Sequence, residues 1–150
     1  MNLYLRKVEK NDMDLLFNWA NDDTVRQNAF NQEKIPYENH VDWFRRMLER
    51  EDVHMYIMCN EENIPIGQIR LNIENNNAII DYSIASEIRG MGFGADMIWL
   101  AKEKIENEGL RVNKLIGQVK YGNNASARVF EKCGFLKQDK EKYMEYFIEL

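Results

Sequence analysis

The segment Arg89-Gly90-Met91-Gly92-Phe93-Gly94 marks a change of period in the chain. Ahead of it, apolar residues recur at every second position from Val53 to Cys59 and from Ile64 to Glu74, and a further run extends from Ala78 to Ala85. Such alternation predicts strands. Behind it, Ala95, Ile98, Ala101 and Ile105 fall on one helical face until Gly109 supplies a stop. A strand therefore hands over to a helix through a turn in which Gly90, Gly92 and Gly94 carry no side-chain bulk. Helix N-termini present unsatisfied N–H groups and the positive end of the macrodipole, so a turn of this kind can cradle a pyrophosphate. The donors are the backbone amides of Met91, Gly92, Phe93, Gly94 and Ala95, with Arg89 adding charge or bracing the loop. A turn that merely needs positive φ angles would use the same glycines.

Two other nucleotide loops are excluded by what surrounds this one. A Walker-type loop requires Gly-Lys-Ser/Thr, which is missing here. A dinucleotide fold needs Gly-x-Gly-x-x-Gly opening a βαβ unit, whereas this spacing differs and an antiparallel meander precedes it. The charge balance narrows the partner as well. A net charge of −5 argues against a broad basic surface for nucleic acid and favours a small-molecule or protein substrate.

With 150 residues, 45% apolar and 30% charged, the chain suits a single domain, 1–150, with a core that needs no disulfide or metal. Its cysteines, Cys59 and Cys133, lack CxxC spacing, so they read as reduced and buried, and no metal site is expected. Met1 to Lys7 shows no long apolar run, which points away from a signal peptide or spanning helix and toward the cytoplasm.

Along the chain, Leu3 and Leu5 alternate in an opening strand, and Asn11 or Asp12 can cap a helix carrying Leu15, Leu16 and Trp19. A polar stretch, Asn21 to Gln32, follows. Pro36 stands where a second helix can begin, with Val41, Phe44, Met47 and Leu48 at helical spacing. Asn60-Glu61-Glu62-Asn63 and Asn75-Asn76-Asn77 supply the turns of a three-strand meander. Leu115 to Val119 reads as a strand, Ala125 to Lys132 as a short helix and Tyr143 to Leu150 as a closing strand.

Arg89 to Gly94 matches the Gln/Arg-x-x-Gly-x-Gly/Ala signature of the GNAT N-acetyltransferase superfamily. Asn123-Asn124-Ala125-Ser126 through Glu131-Lys132-Cys133-Gly134-Phe135 resembles that superfamily's later Asn-x-x-Ser…Glu-Lys-x-Gly-Phe segment. Motif support runs from about Ile64 to Leu136, and the two motifs in this order are far more specific than either alone. The resemblance implies an α+β GNAT fold: a mostly antiparallel mixed sheet of about seven strands, splayed after strand four and flanked by about four helices. It implies acetyl-CoA as co-substrate, held in the gap. Ser83, Ile84 and Ala85 would pair with the pantetheine arm, while Asn123 and Ser126 would approach the CoA tail from the later helix. For these two a plain helix cap is the competing reading.

In many members a Tyr on that helix protonates the departing thiolate, and the matching position here is Phe130, which holds no proton to give. Phe130 is thus expected only to line the cofactor. Tyr82, on the strand face of Ile84, is the nearest hydroxyl and the candidate acid, although a Tyr so placed is more often simply a core aromatic.

Acceptor choice in the superfamily is usually set by the first helices and the loop between them. Trp19, Asn21 and Arg26, with Gln68 and Arg70 on one face of a strand, are the candidate acceptor contacts; a solvated polar face is the competing reading. Together with His40-Val41-Asp42-Trp43-Phe44, these residues resemble a branch that acetylates nucleotide-linked amino sugars of the pseudaminic acid type. The arginines can fork onto phosphates, and Trp19 or Trp43 can stack on a ring. The expected partner is therefore a small-molecule amine, with no nucleic acid and no membrane, bound by a monomer or homodimer. Two other functions fit the same motifs: acetylation of a protein N-terminus or small amine, and CoA binding by a non-catalytic regulatory module.

Overall fold

The computed structural model describes residues 2–150; Met1, where the expected opening alternation starts, lies outside them. Strand β1 (Tyr4–Lys7) leads through a 3-10 turn at Lys10–Asp12 into helices α1 (Met13–Ala20), α2 (Asp23–Asn28) and α3 (Tyr37–Glu49). The meander follows as β2 (Val53–Cys59), β3 (Pro65–Glu74) and β4 (Asn77–Ile84). A 3-10 turn at Ser86–Ile88 precedes α4 (Phe93–Asn107), and β5 (Lys114–Lys120), α5 (Asn124–Lys132), β6 (Leu136–Asp139) and β7 (Tyr143–Glu149) complete the domain.

One seven-stranded sheet runs in the order β1-β2-β3-β4-β5-β7-β6. Its pairings are antiparallel except for β4 with β5, which is parallel and spans only Asn77↔Lys114 to Ile80↔Gly117. Beyond Ile80, β4 continues to pair with β3 through Gly67↔Ile84 but leaves β5 behind. The sheet therefore opens into a V after its fourth strand, as the resemblance implies. The β3–β4 turn places Asn75 at φ 52 and Asn76 at φ 63. Left-handed geometry at both central residues matches the twist of the flanking strands, and Asn tolerates it better than other side chains.

Period-two patterning decides what covers each face. Met58, Ile69, Leu71 and Leu115 pack with Met97, Ile98 and Ala101 of α4 and with Phe130 of α5 in the larger core. On the opposite face, Ile57 and Cys59 meet Leu16 and Phe44, with Trp19 and Trp43 partly buried beside them. Cys59 and Cys133 are buried and free, as expected.

Three local expectations change. The polar stretch before Pro36 holds a fifth helix, α2, whose N-cap Asp22 accepts from the Val25 N–H at 3.2 Å. Asp12 does not cap α1 with its side chain; its carboxylate takes the Glu9 N–H at 2.7 Å and a forked pair of bonds from Arg6 at 2.8 and 2.9 Å. Finally, β6 forms an edge strand whose four residues are all exposed, a pattern with no alternation to betray it. Among the described residues, no helix is long and apolar enough to cross a membrane, and no group of His, Cys, Asp or Glu is arranged to hold a metal.

Candidate active site

The glycine turn has the geometry its sequence demands. Gly90 and Gly92 adopt φ 80 and 86, and a Cβ on either would meet nothing within 4 Å. Open space therefore lies over the loop, next to the first N–H groups of α4, which have no partners within the helix. Gly94 serves a different purpose: its Cβ would stand 3.1 Å from Val129 Cγ2, so its absence lets α4 approach α5 closely. A cradle without side chains at a helix N-terminus fits a pyrophosphate.

Arg89 braces this loop. Its Nε donates to the Ile84 carbonyl at 3.1 Å and its Nη2 to Asp22 Oδ2 at 2.7 Å. Met91 is exposed, Ala85 and Ala95 are buried, and none of the three borders the cleft. The Ala85 N–H is already bonded to the Ile66 carbonyl at 2.9 Å. The expected contacts of these three are through backbone groups, of which the Ala85 amide is committed to the neighbouring strand.

From the loop, a cleft of about 1040 Å³ follows the V between the two halves of the sheet. It is bordered by Tyr82, Ser83 and Ile84 on β4, Gln118 on β5 and Asn123 and Ser126 on α5. Because β5 has diverged, the edge of β4 beyond Ile80 is left without a strand partner, apart from the Ile84 carbonyl that Arg89 already holds, and can pair with an extended amide-bearing chain. Asn123 is the N-cap of α5, its Oδ1 accepting from Ser126 N at 3.2 Å, so the cap reading holds while the residue still borders the cleft. Ser126 Oγ lies 2.9 Å from the Tyr82 hydroxyl. Burial pushes the Tyr82 phenol up to about 12, with the Ser126 bond acting in the opposite direction. Tyr82 is therefore a neutral O–H donor across the physiological range.

Phe130 explains its own lack of a hydroxyl. It is 1% exposed, stacks on Tyr146 at 5.6 Å between centroids and meets Tyr82 edge-on at 5.9 Å. A Cβ on Gly117 would fall 2.3 Å from Phe130 Cζ, so the tip of the ring rests on the β5 backbone. Phe130 borders the cleft, as expected of a residue lining it, and is at the same time part of the core beneath it.

The acceptor side lies on the α1–α3 face. Trp19, Trp43, Gln68 and Arg70 all border the cleft there. Gln68 Nε2 donates to Asp81 Oδ1 and Ser83 Oγ, both at 3.2 Å. The Arg70 guanidinium lies 5.0 Å over the Trp43 ring and 3.6 Å from Asp81 Oδ2, while its Nε is buried without a hydrogen-bond partner. Asp81 and Arg46 also border this pocket, and neither is among the contacts expected from sequence. Period-two spacing along β4 puts Asp81 on the opposite face from Tyr82, and that is the signal the sequence offers.

Two expected acceptor contacts are committed elsewhere. Asn21 turns its amide onto the Ile35 backbone, donating to its carbonyl at 2.9 Å and accepting from its N–H at 2.7 Å. Arg26 donates to the carbonyls of Ala20, Asn31 and Glu33 at 2.8, 3.1 and 3.2 Å, so it organises the loop that bears it. Phosphate contact was expected of Arg26 alone of these two; it borders the cleft, with its Nε and Nη1 engaged by those backbone carbonyls. His40 is buried, with Nε2 donating to the Met13 carbonyl at 2.9 Å; burial lowers its pKa.

Known proteins share this architecture. A spermidine N-acetyltransferase from Vibrio cholerae, solved in complex with CoA and spermine, superposes with a TM-score of 0.87 at 19% identity, covering 98% of this chain and 95% of that one. The aminoglycoside acetyltransferase AAC(6')-Ib, in complex with coenzyme A, gives 0.83 at 18% identity over 99% and 95%. In sequence, the SPbeta prophage-derived uncharacterized N-acetyltransferase YokL of Bacillus subtilis (strain 168) is 27% identical over 144 residues, which is 91% of this chain and 77% of that protein. Residues 2–136 match the family model described as the acetyltransferase (GNAT) domain. With the glycine cradle, the splayed sheet and a match across most of its length, this chain belongs to the GNAT acetyltransferase family.

Proposed function

We propose that this enzyme moves an acetyl group from acetyl-CoA to the primary amine of a small molecule that also carries negative charge, with a nucleotide-linked amino sugar as the preferred class. The observation that carries the reading is Arg70, stacked on Trp43 with its Nε buried and unpaired at the acceptor end of the cleft. The guanidinium borders the cleft and is held by Asp81 only at 3.6 Å, so its outer nitrogens can fork onto an anionic acceptor. Five arginines and one aspartate border the whole cleft, Arg46 and Arg70 on the acceptor side. That balance disfavours polycations such as spermine and suits a phosphate or carboxylate beside the reacting amine.

Acetyl-CoA supplies an acyl group activated as a thioester. The amides of the Gly90–Gly94 loop hold its pyrophosphate, and the open edge of β4 at Ser83 and Ile84 orients its pantetheine arm. Backbone N–H groups on that edge stabilise negative charge on the carbonyl oxygen as the amine attacks. The new bond is N–C and the broken bond is C–S. Tyr82 gives its proton to the sulfur and recovers one through Ser126 Oγ, whereas Asp81 accepts the proton shed by the amine. This assignment leaves Phe130 without a chemical role. The Tyr82–Ser126 pair also favours turnover over a regulatory CoA-binding module.

A thiol-release assay with acetyl-CoA and a panel of sugar nucleotides, free amino sugars, polyamines and peptides tests the reading. Turnover should be fastest with amino-sugar nucleotides and fall in Arg70→Gln through a raised KM for that acceptor. Turnover confined to polyamines or peptides would overturn the acceptor class.

A further inference from the structure

Helix α2 spans the mouth of the V and is tied to both of its sides. At its start, the Asp22 carboxylate caps the helix through the Val25 N–H and pairs with Arg89 of the glycine loop, on the β4 side. At its end, the Gln27 carbonyl accepts from Lys120 Nζ of β5 at 3.3 Å, and Phe30 packs edge-on against Tyr143 of β7 at 5.8 Å. Thr24, Val25 and Asn28, on the helix between these ties, border the cleft. The segment thus joins the two halves of the sheet across the gap where the backbone ladder between β4 and β5 has ended.

We propose that Asp22 is a positioning residue that couples occupancy of the CoA cradle to the order of the acceptor wall. The inference rests on the cofactor cleft described above. One carboxylate serves two masters: its oxygen Oδ2 accepts both from the first turn of α2 and from the arginine that braces the pyrophosphate loop. Arg89 is fixed at its other end to the Ile84 carbonyl, on the strand edge the pantetheine would use. Whatever settles the glycine loop and the β4 edge also fixes the Arg89 guanidinium, and through Asp22 it fixes the cap of α2. A helix of six residues is marginal alone, so its order depends on such ties. The coupling is reciprocal: an ordered acceptor wall favours CoA by the same factor as CoA favours the wall.

Asp22→Asn separates the two duties, because Asn remains a good N-cap while losing the charge that pairs with Arg89. Hydrogen exchange with and without CoA reads the coupling on the full chain, and calorimetry confirms CoA binding in each case. In the wild type, CoA should slow exchange in residues 23–30 by about fivefold or more. In Asp22→Asn that protection should vanish while CoA still binds, and Asp22→Glu should restore part of it. Lys120→Met cuts the opposite, exposed tie and should weaken the protection in a chain whose fold is untouched. Full CoA-dependent protection in Asp22→Asn, or none in the wild type with CoA bound, would overturn the coupling. Failure of the wild-type chain to bind CoA would overturn the cofactor cleft itself.

Discussion

At the scale of single residues, Phe130 and Tyr82 are best understood together. The ring of Phe130 ends on Gly117, so a para hydroxyl would be driven into the β5 backbone. Phe130→Tyr should therefore cost about 1–3 kcal/mol of stability by denaturant titration, without any gain in turnover. Tyr82→Phe removes a proton donor and leaves the packing intact; kcat should fall by about a hundredfold or more with little change in melting temperature. A Tyr82→Phe enzyme at full rate would end its candidacy as the acid. His40 gives a pH signature. Its folded pKa lies below the ordinary 6.5 because burial disfavours the charged ring, with the Met13 bond and Asp14 opposing. The neutral form is thus preferred in the folded state, and the associated stability is present above pH 6.5 and is lost as acid drives the pH down toward the folded pKa. Chemical denaturation at pH 7.5 and 5 should show this loss, and His40→Gln should flatten it. Phe130 could be read as a missing acid from the sequence, whereas its burial against Gly117 could not, because that depends on a partner from another strand.

The elements divide by how they signal themselves. The meander and α4 were legible because burial on one face imposes a period, and the double-Asn turn was legible because few residues accept φ 52 and 63 in succession. This turn can be tested directly. Asn76→Ile should cost about 1–2 kcal/mol, since a branched side chain resists the left-handed region, while Asn76→Gly should be tolerated. Denaturant midpoints of the two variants would separate them, and equal losses would show that the Asn side chain itself holds the hairpin. By contrast, α2 escaped notice because six residues with Val25 as the lone apolar one contain too little periodicity to register. The partners of Asn21, just before this helix, and of Arg26, within it, were hidden for a related reason. Asn21 and Arg26 look like ligand-binding side chains in sequence, yet their bonds go to the Ile35, Ala20, Asn31 and Glu33 backbone, partners that only the folded loop brings within reach.

At the scale of the whole molecule, fold and cofactor cleft followed from two short motifs and the order of periods, because GNAT architecture is built around them. The proposed acceptor end is less legible, since the residues assigned to it come from α1, α3, β3 and β4, elements distant in sequence. If CoA binds folded chains alone, saturation at about 100-fold over its Kd should add about 2.7 kcal/mol, a rise of roughly 5–10 °C in melting temperature for a domain of this size. Thermal denaturation with CoA, against adenosine diphosphate as a partial ligand, would measure it; no shift with CoA would contradict a preformed cleft. The free edge of β4 carries one more consequence. Most sheets expose unpaired backbone at their borders and protect it there, but this one has a second border in its middle. In the resting enzyme that inner border is an invitation to any stray extended peptide. A CoA molecule seated along it should cover that border, so light scattering should show slower aggregation of this protein with CoA than without.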